Sequence, residues 1–346
     1  MPHNLGPNNR KPKSNFGSAF KAVGPIVGST LVLAIALFSL PSILSYDIKS
    51  HEVAGSDNKA PFPVSVDPAH KRITENTSVD ALLTEDTHST LAAAANTATN
   101  AFAWLASVIA ALPVYKQLAG TDVQFVTLQP GYRQEEVASA FASALGWSAA
   151  QKQKFITSLK STPPTLSEGE FVPGTYEVHG AMSTLDVQNM LNDRFTTEIL
   201  NRYSAETAAQ VPLGDALTIA SLIERETGGT DDMRMISGII WNRLFTNMNL
   251  QIDATLQYAK APTTKSWWPQ VRPADKYIKS AYNTYAHPGL PPAPIASPSI
   301  AAVIAALNPK QTDCIFYFHD RLGNFHCSAD YAEHVRMLKK YYGQGK

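Results

Sequence analysis

Two acids, Glu224 and Glu226, close an apolar run, Ala220-Ser221-Leu222-Ile223-Glu224-Arg225-Glu226-Thr227, that lies between Asp215 and the pair Gly228-Gly229. The spacing predicts a helix. At about 100° per residue, Ala216, Leu217, Ile219, Ala220, Leu222 and Ile223 share one face, and Arg225 points away from it. On the same wheel Glu226 sits roughly 70° and Glu224 roughly 90° from the centre of that face. A carboxylic acid at the rim of an apolar face is partly desolvated, which raises its pKa and keeps it protonated closer to neutrality. That is the property of a general acid. Two solvated glutamates in the last turn of a surface helix would show the same spacing, and a difference of roughly 20° on a wheel does not choose between them.

The totals remove several competing chemistries. The 346 residues suit about two domains, and 29 Lys+Arg against 29 Asp+Glu give no global attraction to nucleic acid. Two cysteines, Cys314 and Cys327, are too few for a disulfide scaffold. The chain carries no CxxC, HExxH, GxSxG or Gly-rich phosphate loop, and the S-x-x-K at Ser18 to Lys21 lies in a basic tail. No motif supports a metal, a nucleotide cofactor or a serine triad.

The elements around the two acids can be taken in order. Residues 1–21 carry Arg10, Lys11, Lys13 and Lys21 with no acid, and residues 22–46 carry no charge. At 1.5 Å per residue that stretch reaches roughly 37 Å, enough to span a membrane with some tilt. The basic flank comes first, so we expect a single uncleaved anchor with the N-terminus inside and the rest exported. Residues 47–120 are expected to be a tether with an Ala-rich helix. Ser89 to Tyr115 is also uncharged, but its purely apolar part, Ala101 to Leu112, suits a buried or interfacial helix better than a second crossing.

Residues 121–210 read as an accessory α+β subdomain. Its expected parts are a strand at 123–128, helices at 134–145 and 149–159, a strand pair at 171–178 and a long helix at 185–203. Residues 211–346 hold the two acids. There, Thr230 or Asp231 can cap a helix with the stripe Met233, Ile236, Ile240 and Leu244. A long loop at 261–298 follows, then a helix at 299–307, a hairpin at 313–328 and a closing helix at 330–342. Strands and helices alternate without a βαβ rhythm, so the class is α+β.

Short motifs then accumulate in one order. They are Ala220 to Thr227, Asn242-Arg243-Leu244, Leu250-Gln251-Ile252-Asp253, Tyr282-Asn283-Thr284-Tyr285, Gly289-Leu290-Pro291-Pro292, Pro294-Ile295-Ala296, Ala305 to Pro309 and Glu333-His334, with Glu168-Gly169 through Pro173 to Thr175-Tyr176 upstream. In this series the chain resembles the YceG-like endolytic murein transglycosylases, membrane-anchored bacterial enzymes that cut nascent peptidoglycan, over roughly residues 121–340. The family's catalytic glutamate corresponds to Glu226, and Glu224 becomes a supporting neighbour. The sequence departs from the pattern in three places. No strand-helix-helix signature of the family's LysM-like subdomain shows in residues 47–120, Asp232-Met233 stands where the family has Glu-Arg, and Ala254 stands where it has Pro.

The resemblance implies non-hydrolytic cleavage of the β-1,4 bond between N-acetylmuramic acid and N-acetylglucosamine, leaving 1,6-anhydro ends and ending strand elongation. It implies no cofactor and no metal. Its implied partners are glycan strands, the membrane, and the peptidoglycan synthases of elongation or division. Gln251, Asp253, Asn283, Thr284 and Tyr285 are the expected substrate-binding residues, and Asn242, Arg243 and His334 are expected to support them. A zinc set could be drawn from Cys314, His319, His326 and Cys327, but a hairpin disulfide or two free thiols fits the family better. Two other functions share these residues: a muramidase with Asp253 as base, and an anchored wall-binding adaptor that cuts nothing.

Overall fold

The computed structural model describes residues 35–36, 38–48, 59–76, 79–80, 83, 101–102, 104–112, 115, 122–227, 232–260 and 266–343. The basic tail, most of the expected anchor, Gly228-Gly229, Thr230 and Asp231 lie outside these residues. Among the described residues no helix is long and apolar enough to cross a membrane. Residues 38–48 and 104–111 are helical, and Leu44 packs with Ala106, Ile109, Ala110, Tyr115 and Phe125.

Among the described residues the strands form three separate two-stranded antiparallel sheets, in keeping with an α+β class. They are β1 (Val66–Asp67) with β2 (Arg72–Ile73), β3 (Val123–Leu128) with β4 (Gly174–His179), and β5 (Phe316–His319) with β6 (Phe325–Ser328). Between β3 and β4 run α1 (Gln134–Leu145) and α2 (Ala149–Ser161). Gly146, in the left-handed region at φ 64°, ends α1, and the Ser148 side chain then accepts the Gln151 N–H to cap α2. The expected strand pair at 171–178 is one strand, because its partner is β3, with Val126 opposite Tyr176. Phe141, Phe155, Leu159, Phe171, Tyr176 and Leu191 fill the core of this unit, the last from α3 (Thr184–Glu198). The long helix expected at 185–203 therefore stops early; a 3₁₀ turn (Leu200–Arg202) and α4 (Ala205–Gln210) follow. Thus the strand-helix-helix order missing from residues 47–120 is present at 123–161 and is closed by β4.

The second core surrounds α5 (Leu213–Glu226). The wheel gives this helix one apolar face, whereas the structure buries every residue from Ala216 to Ile223. Its two hydroxyls do not oppose this, since Thr218 donates to the Gly214 carbonyl (2.7 Å) and Ser221 to the Thr218 carbonyl (2.7 Å). Around it lie α6 (Met233–Phe245), α7 (Asp253–Lys260) and α8 (Ile300–Leu307), with α9 (Tyr331–Tyr342) outside β5 and β6. Ser221 also accepts the Ile295 N–H (3.0 Å), fixing the Pro-rich loop that leads into α8.

Two sequence boundaries are corrected. Residues 59–76 are not a tether: Phe62 and Val66 are buried in the α5 core, and the Asn308 amide donates to the Pro63 carbonyl (2.6 Å). Their Ser, Asp and His content masked two apolar residues that are spaced to reach the core. The division at residue 210 is not a gap either, because Phe195 and Ile199 from the end of α3 join the α5 core. The two units are also stitched together: the Gly131 N–H donates to the Ser297 carbonyl (2.8 Å), and the Ser297 N–H to the Tyr132 carbonyl (2.7 Å).

Gly238 in α6 lets the 310 segment approach closely, since a Cβ there would lie 2.3 Å from the Lys310 carbonyl oxygen. Alanine is the better helix former by about 1 kcal/mol, but displacing backbone costs about 1–3 kcal/mol. Gly238→Ala is therefore expected to lower the urea midpoint, measurable by circular dichroism.

Candidate active site

α5 ends at Glu226, on the wall of a cleft of about 820 Å³. Gln251, Asp253 and Tyr285 line it together with Tyr317, His319 and His334, and so do Arg243 and Lys276. Glu226 Oε2 accepts the Tyr317 hydroxyl at 2.7 Å. Burial pushes the Glu226 pKa up to about 6, against the pull of the Tyr317 bond; nearby Asp253 raises it further, while the Ala254 N–H and His319 lower it. A helix C-terminus, with its partial negative charge, also disfavours the carboxylate. Burial, and then Glu226 itself, hold the Tyr317 phenol well above its ordinary range, so it stays a donor.

The expected site residues separate into two groups. Gln251, Asp253, Tyr285, Arg243 and His334 line the cleft with Glu226. Gln251 sits at φ 51° with its N–H on the Thr284 carbonyl (3.1 Å), which turns the chain into α7. Asp253 is the first residue of α7, and the Tyr285 hydroxyl donates to its Oδ1 at 2.6 Å. Burial, followed by the Asp253 bond, raises the Tyr285 pKa.

Asn283 and Thr284, expected to hold sugar groups, are buried and spend their side chains on backbone and on Thr255. The Asn283 amide donates to the carbonyls of Lys276 (3.0 Å) and Ile278 (2.9 Å), and its oxygen accepts the Tyr285 N–H (3.0 Å). Thr284 Oγ1 accepts the Ile252 N–H at 3.0 Å. They shape the loop that carries Tyr285 and Gln251. Sequence spacing could not separate the two groups, because polar residues in one motif alternate between loop interior and cleft.

Three supporting residues act on backbone. The Asn242 amide donates to the carbonyls of Thr312 (2.8 Å) and Cys314 (3.1 Å). Arg243 donates to the carbonyls of Ile315 (2.7 Å) and Leu250, joining the hairpin to the Gln251 turn. Glu224 turns away from the cleft and accepts the Ser299 N–H (2.9 Å) and hydroxyl (2.6 Å), tying α5 to the start of α8. His334 stacks on Phe316 at 5.4 Å, and burial and then Arg243 lower its pKa. Upstream, Glu168 accepts the Gln134 N–H (3.0 Å) at the start of α1, and Gly169, at φ 91°, packs where a Cβ would meet the Pro294 ring at 2.6 Å.

Tyr317, His319 and Lys276 were missed as cleft residues. Period-2 alternation in Phe316-Tyr317-Phe318-His319 was the available signal, since it places Tyr317 and His319 on one face of β5. Cys314 and Cys327 are joined in a disulfide with Cα atoms 5.8 Å apart, which takes both sulfurs out of any zinc set. Among the described residues no group of three or more His, Cys, Asp or Glu could hold a metal ion.

A carboxyl group with a raised folded-state pKa adds stability below its ordinary pKa and loses that contribution as pH rises through the raised value. For Glu226 the window runs from 4.5 to about 6. Glu226→Gln is therefore expected to be more stable than wild type by about 2 kcal/mol near about pH 8 and equal to it near about pH 4. Urea unfolding at the two pH values measures this.

A profile of the YceG-like family matches residues 86–340. A Bacillus subtilis (strain 168) protein named endolytic murein transglycosylase is 29% identical over 238 residues, covering 62% of this chain and 64% of that protein. A Streptococcus pneumoniae serotype 2 protein of the same name is 27% identical over 208 residues, covering 56% of this chain and 37% of its own length. The match therefore spans less than two thirds of either relative. The crystal structure of a putative YceG-like protein from Listeria monocytogenes superposes with a TM-score of 0.54 at 25% identity, covering 62% of this chain and 75% of that one. With most of its length matched by the profile, this chain belongs to the YceG-like family.

Proposed function

We propose that the chain is a membrane-anchored endolytic lytic transglycosylase of peptidoglycan, with Glu226 as its one acid/base. The observation that carries this reading is a cleft-facing glutamate whose pKa is pushed up to about 6. Such a group can both give and take a proton near neutrality. In the first half-step Glu226 protonates the oxygen leaving C1 of the muramic residue, and the bond breaks with positive charge developing at C1. In the second, the Glu226 carboxylate takes the proton of the muramic C6 hydroxyl, whose oxygen attacks C1 and closes the 1,6-anhydro ring. The proton count balances and no water is consumed.

Asp253 lies in the same cleft as the source of negative charge for the developing cation, and Gln251 and Tyr285 offer an amide and a hydroxyl to the sugars. Asn283 and Thr284 serve by shaping their loop. The unit β3-α1-α2-β4 has the order of the family's LysM-like subdomain, and we assign it to docking of the glycan strand. The uncharged stretch 22–46 is assigned as the anchor, with residues 1–21 inside and the cleft outside. Placed there, the enzyme would work beside the synthases whose strands it ends.

The presence of Asp253 beside Glu226 favours one other reading, a muramidase in which Asp253 activates water. The full chain in detergent, incubated with purified glycan strands, separates the two by mass spectrometry of the new ends. Anhydro ends are expected; reducing ends would replace the transglycosylase by the hydrolase, and no cleavage would leave a wall-binding adaptor. Glu226→Gln is expected to lower the rate by about 10²–10⁴-fold. Wild-type activity is expected to fall as pH rises through about 6, where Glu226 loses its proton.

A further inference from the structure

The hydroxyl that reaches Glu226 comes from β5, and this strand is held on several sides. Asn242 and Arg243 grip the carbonyls of Thr312, Cys314 and Ile315 just before it, and the disulfide ties Cys314 to Cys327 on β6. Two residues beyond Tyr317, the His319 ring is hydrogen-bonded to Asp232, the residue that precedes α6. The two side chains thus bond the last residue of α5 and the residue that precedes α6, Tyr317 at Glu226 and His319 at Asp232. Among the described residues, Tyr317 is the one side chain hydrogen-bonded to the Glu226 carboxyl group.

We propose that Tyr317 is the positioning residue for the acid/base: its hydroxyl holds Oε2 of Glu226 and leaves Oε1 to give and take the proton at the sugar. This rests on the reading of Glu226 as the acid/base. Tyr317 keeps its own proton in both half-steps. Its hydrogen bond is stronger to the carboxylate than to the acid, so it stabilises the form that glycosidic cleavage creates. Among the described residues, the other groups that act on Glu226 are Asp253 and the Ala254 N–H from α7, His319 from β5, Arg243 from α6, Tyr285 from its loop and the neighbouring Arg225 of α5. Their side chains are bonded elsewhere: Tyr285 to Asp253, His319 to Asp232 and Arg243 to the carbonyls of Ile315 and Leu250.

Tyr317→Phe removes only that oxygen. In protein labelled with ¹³C at the glutamate carboxyl groups, the Glu226 resonance, assigned by its absence in Glu226→Gln, is expected to titrate at higher pH in Tyr317→Phe than in wild type. On glycan strands kcat is expected to fall by between about tenfold and about 10²-fold, KM to change little, and the basic limb of the pH profile to move upward. An unmoved Glu226 titration overturns the proposal, and so does an unmoved kcat. A kcat loss that comes with a lowered thermal midpoint and an unmoved titration overturns it too, making Tyr317 a packing residue. The titration needs no turnover, so its failure is distinguishable from failure of the enzyme reading, which appears as no cleavage by wild type.

Discussion

The structure depends on burying α5 on every side and ending it at an acid. Eight consecutive buried residues set α5 in the core, and Glu226 follows them at the wall of the cleft. Burial and the negative end of the helix both disfavour the carboxylate, and among the described residues one phenol, one backbone N–H and the nearby His319 oppose them. That limited compensation is what sets the pKa at about 6.

Around that helix, most polar residues of the motifs act as rivets between backbone segments. Asn242 and Arg243 hold the hairpin, Asn283 and Thr284 hold the loop beneath Tyr285, Glu224 holds α8, and Ser221 holds the Pro-rich loop. A buried polar group left without a partner costs about 1–3 kcal/mol, whereas one that satisfies an otherwise orphaned carbonyl or N–H contributes. Irregular loops expose many such backbone groups. Among the described residues between α7 and α8, most lie outside helices and strands, and Asn283, Thr284 and Ser221 hydrogen-bond within or to this segment.

The β3-α1-α2-β4 unit has its own core yet is not independent of the α5 core. Backbone hydrogen bonds between Gly131, Tyr132 and Ser297, and the contact of Gly169 with Pro294, join it to the loop that Ser221 fixes. Phe195 and Ile199 extend α3 into the α5 core, and residues 59–76 pack against that same core. Hydrogen bonds and shared packing thus join the small unit to the core that carries Glu226.

Local pattern in the sequence was enough for most elements. Val123 to Leu128 as a strand, Gln134 to Leu145 as a helix, the hairpin within 313–328 and the final helix were legible, because alternation and capping act between near neighbours. The acids at the end of α5 were visible too, but choosing Glu226 over Glu224 needed the family resemblance. Tertiary structure decided the rest. It turned Glu224 to Ser299 and Glu226 to Tyr317, although they lie two residues apart on one helix. It buried Asn283 and Thr284 while leaving Gln251 and Tyr285 in the cleft, and it drew Phe62 and Val66 into the core from a stretch that reads as polar. The reason is common to all of these. Desolvation and hydrogen-bond partnership depend on residues some 30 to 240 positions away, and periodicity along the chain carries no record of which of those come near.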